Sequence, residues 1–367
     1  MTALRKLPWD LLIVLALAGL PFVPGLFDSV DRFLRLPFGS EMTTLFIMAV
    51  LALGLHVVVG YTGVLQLGVA AFFGIGAYVT GILTVPSLPF HMSFPVSLVA
   101  ATLFAAFVGL LLAAPTLRLR GDYLALVTLG FGEVTKFALK NMEAITNGTK
   151  GLNPIPAPKL PEFTGATGDW GTDFRYFYFL TLGVLFVVLL VLRNLEKSRL
   201  GRAWIALRED ELAATCMGLN TGRLKLAAFG LGAGIAGLAG CLYATKLGNT
   251  ADPNAYGFNR SVTILCCLIL GGLGNRTGVL LGVFLIVGFD NILAPAMDKR
   301  MQAARGPGAE VIDYETLSFW KLMAFGLALV LVMRFRPEGL LPSSRVKREL
   351  HPDETLPESA ADPVTGA

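Results

Sequence analysis

The sequence predicts an all-α fold: a polytopic membrane helix bundle of about ten transmembrane helices, with a short cytoplasmic helix and both termini inside. Three observations carry that prediction. Of 367 residues, 54% are hydrophobic and only 15% charged, where soluble domains carry about a quarter charged residues. Apolar stretches long enough to cross the hydrocarbon, about 20 residues each, recur along the chain. Glycine supplies 41 residues, against about 7% in average usage, as closely packed membrane helices require. This composition excludes a cytosolic enzyme, a disordered protein and a nucleic-acid binder. The four cysteines, Cys216, Cys241, Cys266 and Cys267, form no CxxC pair, so neither a disulfide framework nor a metal knuckle is expected.

Ten spans are expected, at 10–27, 43–60, 61–84, 93–115, 122–141, 176–193, 224–245, 258–274, 279–296 and 317–334. Arg5 and Lys6 precede the first as in a signal peptide, but Pro21 and Pro24 close it without a small-x-small cleavage site, so it is read as retained. The Gly-rich 61–84 and the charged 122–141, with Glu133 and Lys136, are candidates for broken or re-entrant segments. Residues 142–175 carry four prolines (Pro154, Pro156, Pro158, Pro161) and read as an irregular external loop. The division is therefore a transmembrane domain over 1–335, with residues 194–223 cytoplasmic, and a cytoplasmic, disordered tail over 336–367.

Orientation follows from Lys and Arg beside the spans. With the N-terminus inside, the cytoplasmic pieces hold 17 of them and the external pieces 10. An even span count returns the C-terminus, with Arg345, Lys347 and Arg348, to the same side.

Machinery for chemistry is sparse. The three histidines, His56, His91 and His351, lie far apart in sequence, and no GxxxxGK[ST] loop is present, so any nucleotide must sit on another subunit. Small residues recur every fourth position in 224–245 (Gly230 and Gly234; Gly232, Ala236 and Gly240; Ala233 and Gly237), which indicates close helix contact. Ionisable groups inside spans are costly and hence functional candidates. Glu133 stands three residues from Lys136, so an ion pair competes with a substrate contact; Asp290, beside Asn291, lies toward the outer third of its span. Gln66 and Phe72 are candidates for facing a translocation route, because Gly60, Gly63 and Gly68 free backbone groups that only a buried or water-lined site tolerates.

The cytoplasmic segment is the most informative. Asp210 is placed to N-cap a two-turn helix, Glu211 suits its positive end, and Gly218 can close it in the left-handed conformation. That helix offers Leu212, Cys216 and Met217 beside a charged edge with Arg208, either as a docking element or as an interfacial connector.

The run Glu211-x-Ala213-Ala214-x-x-x-Gly218 resembles the coupling loop of ABC importer permeases. Its surroundings, from Gly201-Arg202-Ala203 to Met217-Gly218-Leu219-Asn220, are similar to the LivM-type permease of branched-chain amino-acid importers. Three further segments match that family in order: Gly60-Tyr61-Thr62-Gly63-Val64-Leu65 with Ala70 to Tyr78, Leu117 to Gly130, and Leu270 to Gly274 followed by Arg336-Pro337-Glu338-Gly339-Leu340. The chain departs from the usual pattern at Gln66 and Val69, where the family reads Ser and His, and at Val279, where it reads Pro. The resemblance covers about residues 45–340. It implies a permease that is not itself an enzyme, in a prokaryotic inner membrane. The implied partners are a second, LivH-type permease, two cytoplasmic ABC ATPases that hold the ATP and Mg, an extracytoplasmic solute-binding protein and membrane lipid. Branched-chain or other small amino acids are the implied cargo, with urea or a short amide as the near alternative. An ion-coupled carrier would show more intramembrane charges than this chain has.

Overall fold

The computed structural model describes residues 36–86, 89–116, 122–158, 174–296 and 339–341, with isolated positions elsewhere. The expected spans at 10–27 and 317–334, the segment Leu117–Gly121 and the tail beyond 341 lie outside these stretches. Every regular element among the described residues is helical. The main helices, in chain order, are α1 (Phe38–Leu55), α2 (Val69–Thr84), α3 (Phe94–Thr116) and α4 (Asp122–Asn141), followed by the short α5 (Glu143–Thr146). After them come α6 (Phe174–Lys197), α7 (Arg199–Glu209), α8 (Glu211–Cys216), α9 (Thr221–Leu247), α10 (Phe258–Gly271) and α11 (Arg276–Gly288). A π turn, His56–Gly60, extends α1, and a second, Phe289–Leu293, extends α11.

Five of these helices are long and apolar enough to cross a membrane: Phe38–Gly60, Phe94–Pro115, Arg175–Lys197, Thr221–Leu247 and Arg276–Ala296. They agree with the expected spans 43–60, 93–115, 176–193, 224–245 and 279–296. The stretch 61–84 breaks as its glycines suggested. Residues 63–68 have no regular structure, and only Val69–Thr84 is helical.

The helix α1 is hydrophobic on every face and is buried almost throughout, as a helix at the centre of a bundle must be. It is surrounded by α6, α9, α10 and α11, while α9 also carries α2 and α3. The small-residue stripes of α9 explain how one helix seats three neighbours. A Cβ on Gly232 would lie 2.8 Å from the Gly54 carbonyl oxygen of α1; one on Gly240 would overlap the Phe73 carbonyl of α2; and one on Gly230 would lie 2.9 Å from Leu110 of α3. With no hydrophobic force between helices in lipid, this close backbone approach supplies the packing energy. The outer face of α3, with Val99, Leu103, Phe107 and Leu111, remains exposed, as lipid or a membrane partner requires.

The two ends of the bundle differ. At one end the loop after α5 is tied to the turn after α9: Leu152 N–H donates to Thr250 Oγ1 at 2.8 Å and Ile155 N–H to the Gly248 carbonyl at 2.7 Å. Burial pushes the Tyr256 phenol in that turn well above its ordinary pKa, and its hydroxyl donates to the Thr250 carbonyl at 2.6 Å. At the other end α7 and α8 fold beneath α1 and α9. There the Leu340 and Leu341 N–H groups donate to the Leu270 and Gly271 carbonyls at 2.9 and 3.1 Å, so the two halves of the C-terminal motif meet.

Candidate coupling helix and translocation segment

The helix α8 forms for local reasons. Asp210 has extended backbone angles, and its Oδ1 accepts from the N–H groups of Leu212 and Ala213 at 2.7 and 3.0 Å. These are two of the four donors that a helix start leaves unpaired. Gly218, at φ +81°, ends the segment in the conformation that glycine adopts without a Cβ penalty. Leu212 is 71% exposed and Met217 83%, and Ala213 and Cys216 are exposed with them. These side chains therefore lie on the surface of the segment.

Three residues of the set turn the other way. Ala214 is buried against the chain itself, so a large side chain there disrupts the fold of the segment rather than an outer face. Glu211 Oε1 sits 2.6 Å from Nζ of the nearly buried Lys225 on α9. Arg208, expected at the charged edge of a docking surface, reaches inward and donates from Nη1 to the Gly60 carbonyl at 2.7 Å. Trp204, which sequence reasoning passed over, is fully buried and donates from Nε1 to the Leu224 carbonyl at 2.8 Å. Nothing local in the sequence marks Trp204 or Lys225, because their partners come from other turns of the fold.

The other candidates divide. Gln66 lies in the non-helical 63–68 segment, 2% exposed, and its amide has no hydrogen-bond partner among the described residues. The neighbouring Leu67 N–H is held by Thr128 Oγ1 of α4 at 3.1 Å, and Ala70 N–H at the start of α2 by Ser261 Oγ of α10 at 3.0 Å. Phe72 is buried with its ring 5.4 Å from Phe131 of α4. Glu133 is also on α4. It pairs with Lys136 and accepts from the Phe258 N–H at 3.2 Å, capping α10 from outside its own helix. Gln66, Phe72 and Glu133 thus belong to one seam of α2, α4 and the broken segment. Asp290 is on the exposed side of the second π turn, whose helix α11 packs on α1 and α10, away from that seam. Among the described residues no group of three or more His, Cys, Asp or Glu side chains is gathered for a metal.

Residues 40–333 match the family model described as branched-chain amino acid transport system / permease component. The chain is 38% identical to the high-affinity branched-chain amino acid transport system permease protein LivM of Salmonella typhimurium, over 98% of this chain and 80% of the relative. It is likewise 38% identical to the Escherichia coli LivM, over 95% and 78%. A probable branched-chain amino acid transport permease, LivM, of Methanocaldococcus jannaschii is 26% identical over 88% and 92%. No solved structure matches.

Proposed function

The chain belongs to the branched-chain amino acid transport system / permease component family, and from that membership we propose that it is the translocating permease of an ATP-driven importer for branched-chain or other small amino acids. It is a multi-pass membrane protein. In this reading it has about ten spans, with both termini in the cytoplasm of a prokaryote and the plasma membrane around residues 1–335. It works beside a second, LivH-type permease. Two cytoplasmic ABC ATPases bind and hydrolyse ATP with Mg, and an external solute-binding protein delivers the cargo and supplies most of the selectivity. The chain itself binds no cofactor and catalyses no reaction.

The observation that carries the mechanism is the capped helix α8, with Leu212 and Met217 standing out of it at the basic end of the molecule. Binding energy at an interface concentrates in a few desolvated side chains. An apolar knob of this kind fits a groove on an ATPase, so closure of the ATPase pair displaces α8 and with it the bundle. Leu212, Ala213, Cys216 and Met217 form the docking face; Glu211, Ala214 and Gly218 set its shape, and Arg208 ties the segment to the bundle. The broken segment with Gln66 and Phe72 borders the route, since unwound backbone at membrane depth is tolerated where it is buried or lines a cavity. Glu133 then flanks that route as a structural cap, and Asp290, exposed on the second π turn, is a separate candidate contact.

Leu212→Asp and Met217→Asp test the docking role, because a charge on that face would be buried unpaired. Each variant is expected to insert, to keep the second permease on purification, and to lose both the ATPases and ATP-dependent uptake. Normal retention of the ATPases together with normal uptake in both variants returns α8 to a solvated connector.

A further inference from the structure

We propose that Arg208 is the positioning residue that carries movement of the coupling helix into the transmembrane bundle, by clasping the π turn at the end of α1. This rests on the reading of α8 as the docking element and extends it inward.

The π turn is the place where α1 departs from regular geometry. Over His56–Gly60 the helix widens, and such turns hold one residue more than an α-turn would. Side chains add donors to the backbone bonds of this turn. Thr62 Oγ1 donates to the Val58 carbonyl at 2.6 Å, and Arg208 Nη1 donates to the Gly60 carbonyl at 2.7 Å. A guanidinium at the C-terminal end of a helix is favoured both by the dipole and by the charge-assisted bond.

The surroundings are shaped to let that arginine through. Gly63 adopts φ +70°, and a Cβ there would meet Arg208 Cγ at 2.9 Å, so the stem of the arginine passes directly over the start of the non-helical segment. Inside the turn a Cβ on Gly60 would overlap the His56 ring. That ring is completely buried, and neither of its nitrogens has a hydrogen bond. Its face meets Tyr61 edge-on at 4.7 Å, and Tyr61 in turn stacks at 6.4 Å on Trp204, the other inward anchor of α7. A buried imidazole without partners is costly. The turn keeps its own backbone bonds at the expense of a buried, unpartnered ring, a strained arrangement that the residues packed around it maintain.

The linkage is short. Arg208 lies in the last turn of α7, and Asp210, two residues on, caps α8. A displacement of α8 therefore moves the guanidinium, and the guanidinium holds the carbonyl of a helix buried on all sides. Release of the clasp lets the π turn relax to α-geometry and shifts the register of α1 against α6, α9 and α11. Packed interfaces of this kind change between discrete states rather than deforming continuously.

The test compares Arg208→Met and Arg208→Lys in the assembled transporter, reconstituted in proteoliposomes, and reads uptake per ATP hydrolysed. Both variants are expected to retain the ATPases. In Arg208→Met uptake per ATP falls about tenfold or more, the scale set by one charge-assisted bond. Arg208→Lys keeps the charge but not the fork and falls between. A merely structural arginine would lower the yield of transporter and leave the ratio unchanged, and that result overturns the proposal. So does failure of both variants to assemble, which makes Arg208 a folding residue. Leu212→Asp is run alongside. If it keeps the ATPases docked, the docking reading of α8 fails; if it loses them while Arg208→Met transports normally, only the clasp fails.

Discussion

Removing Glu211 and removing Lys225 should have unequal consequences, although the two side chains form one pair. Lys225 Nζ and Glu211 Oε1 are 2.6 Å apart, with the lysine side chain 6% exposed and the glutamate 32%. Glu211→Ala strands an ammonium group that is buried at the start of the second turn of α9, and a buried pair broken from one side costs about 3 kcal/mol, at the low end because the lysine stem can bend toward water. Lys225→Met leaves a carboxylate that is one-third hydrated and stands in the first turn of α8, where the helix dipole favours it, so that loss is about 1 kcal/mol or less. The double variant contains no stranded charge and should also lose about 1 kcal/mol, less than Glu211→Ala alone. Amide hydrogen exchange across α8 and the start of α9 reads the difference directly. About 1.4 kcal/mol is tenfold, so Glu211→Ala speeds exchange about a hundredfold and Lys225→Met about fivefold. Equal acceleration in the two single variants, or a double variant as fast as Glu211→Ala, refutes the argument that burial of the lysine decides the energetics.

Asp210→Ala removes the acceptor of two helix-start N–H groups and should destabilise α8 by about 1 kcal/mol, with Asp210→Asn restoring most of it; helix-localised exchange at Leu212 and Ala213 checks the order. Gly232→Ala places a methyl 2.8 Å from the Gly54 carbonyl and must push α1 from α9, costing about 1–3 kcal/mol by overpacking; thermal unfolding in detergent should show a lower midpoint than for Gly248→Ala, which meets no neighbour within 4 Å. Gly248 itself sits at φ +68°, so any strain it adds works against that ordering and makes the comparison stringent. Gln66→Leu should reduce uptake in the assembled transporter without lowering its yield, because the amide it removes bonds no described residue; unchanged transport of every candidate amino acid removes Gln66 from the route.

What is legible in the sequence is what short-range physics governs. A cap joins residues two and three positions apart, so Asp210 and Gly218 by themselves mark the two ends of α8. Apolar length marks the spans, because a helix in lipid must satisfy its own backbone. Small residues at four-residue spacing mark α9 as a close-packing helix, since that spacing keeps them on one face. Even the break in 61–84 is foreshadowed by Gly60, Gly63 and Gly68.

Direction and partnership are decided by the tertiary structure alone. Arg208 reads in sequence as part of an outer charged edge, yet its partner, the Gly60 carbonyl, lies 148 residues away along the chain. Glu211 and Lys225 are 14 residues apart, on different helices, and the hydroxyl that receives the Ala70 N–H is 191 residues distant. Ala214 and Leu212 differ little in local pattern, but one is buried and the other exposed because α7 and α9 cover only one side of α8. A helix's face is set by the periodicity of its own residues; what that face meets depends on where the chain returns, and only the packed bundle contains that information.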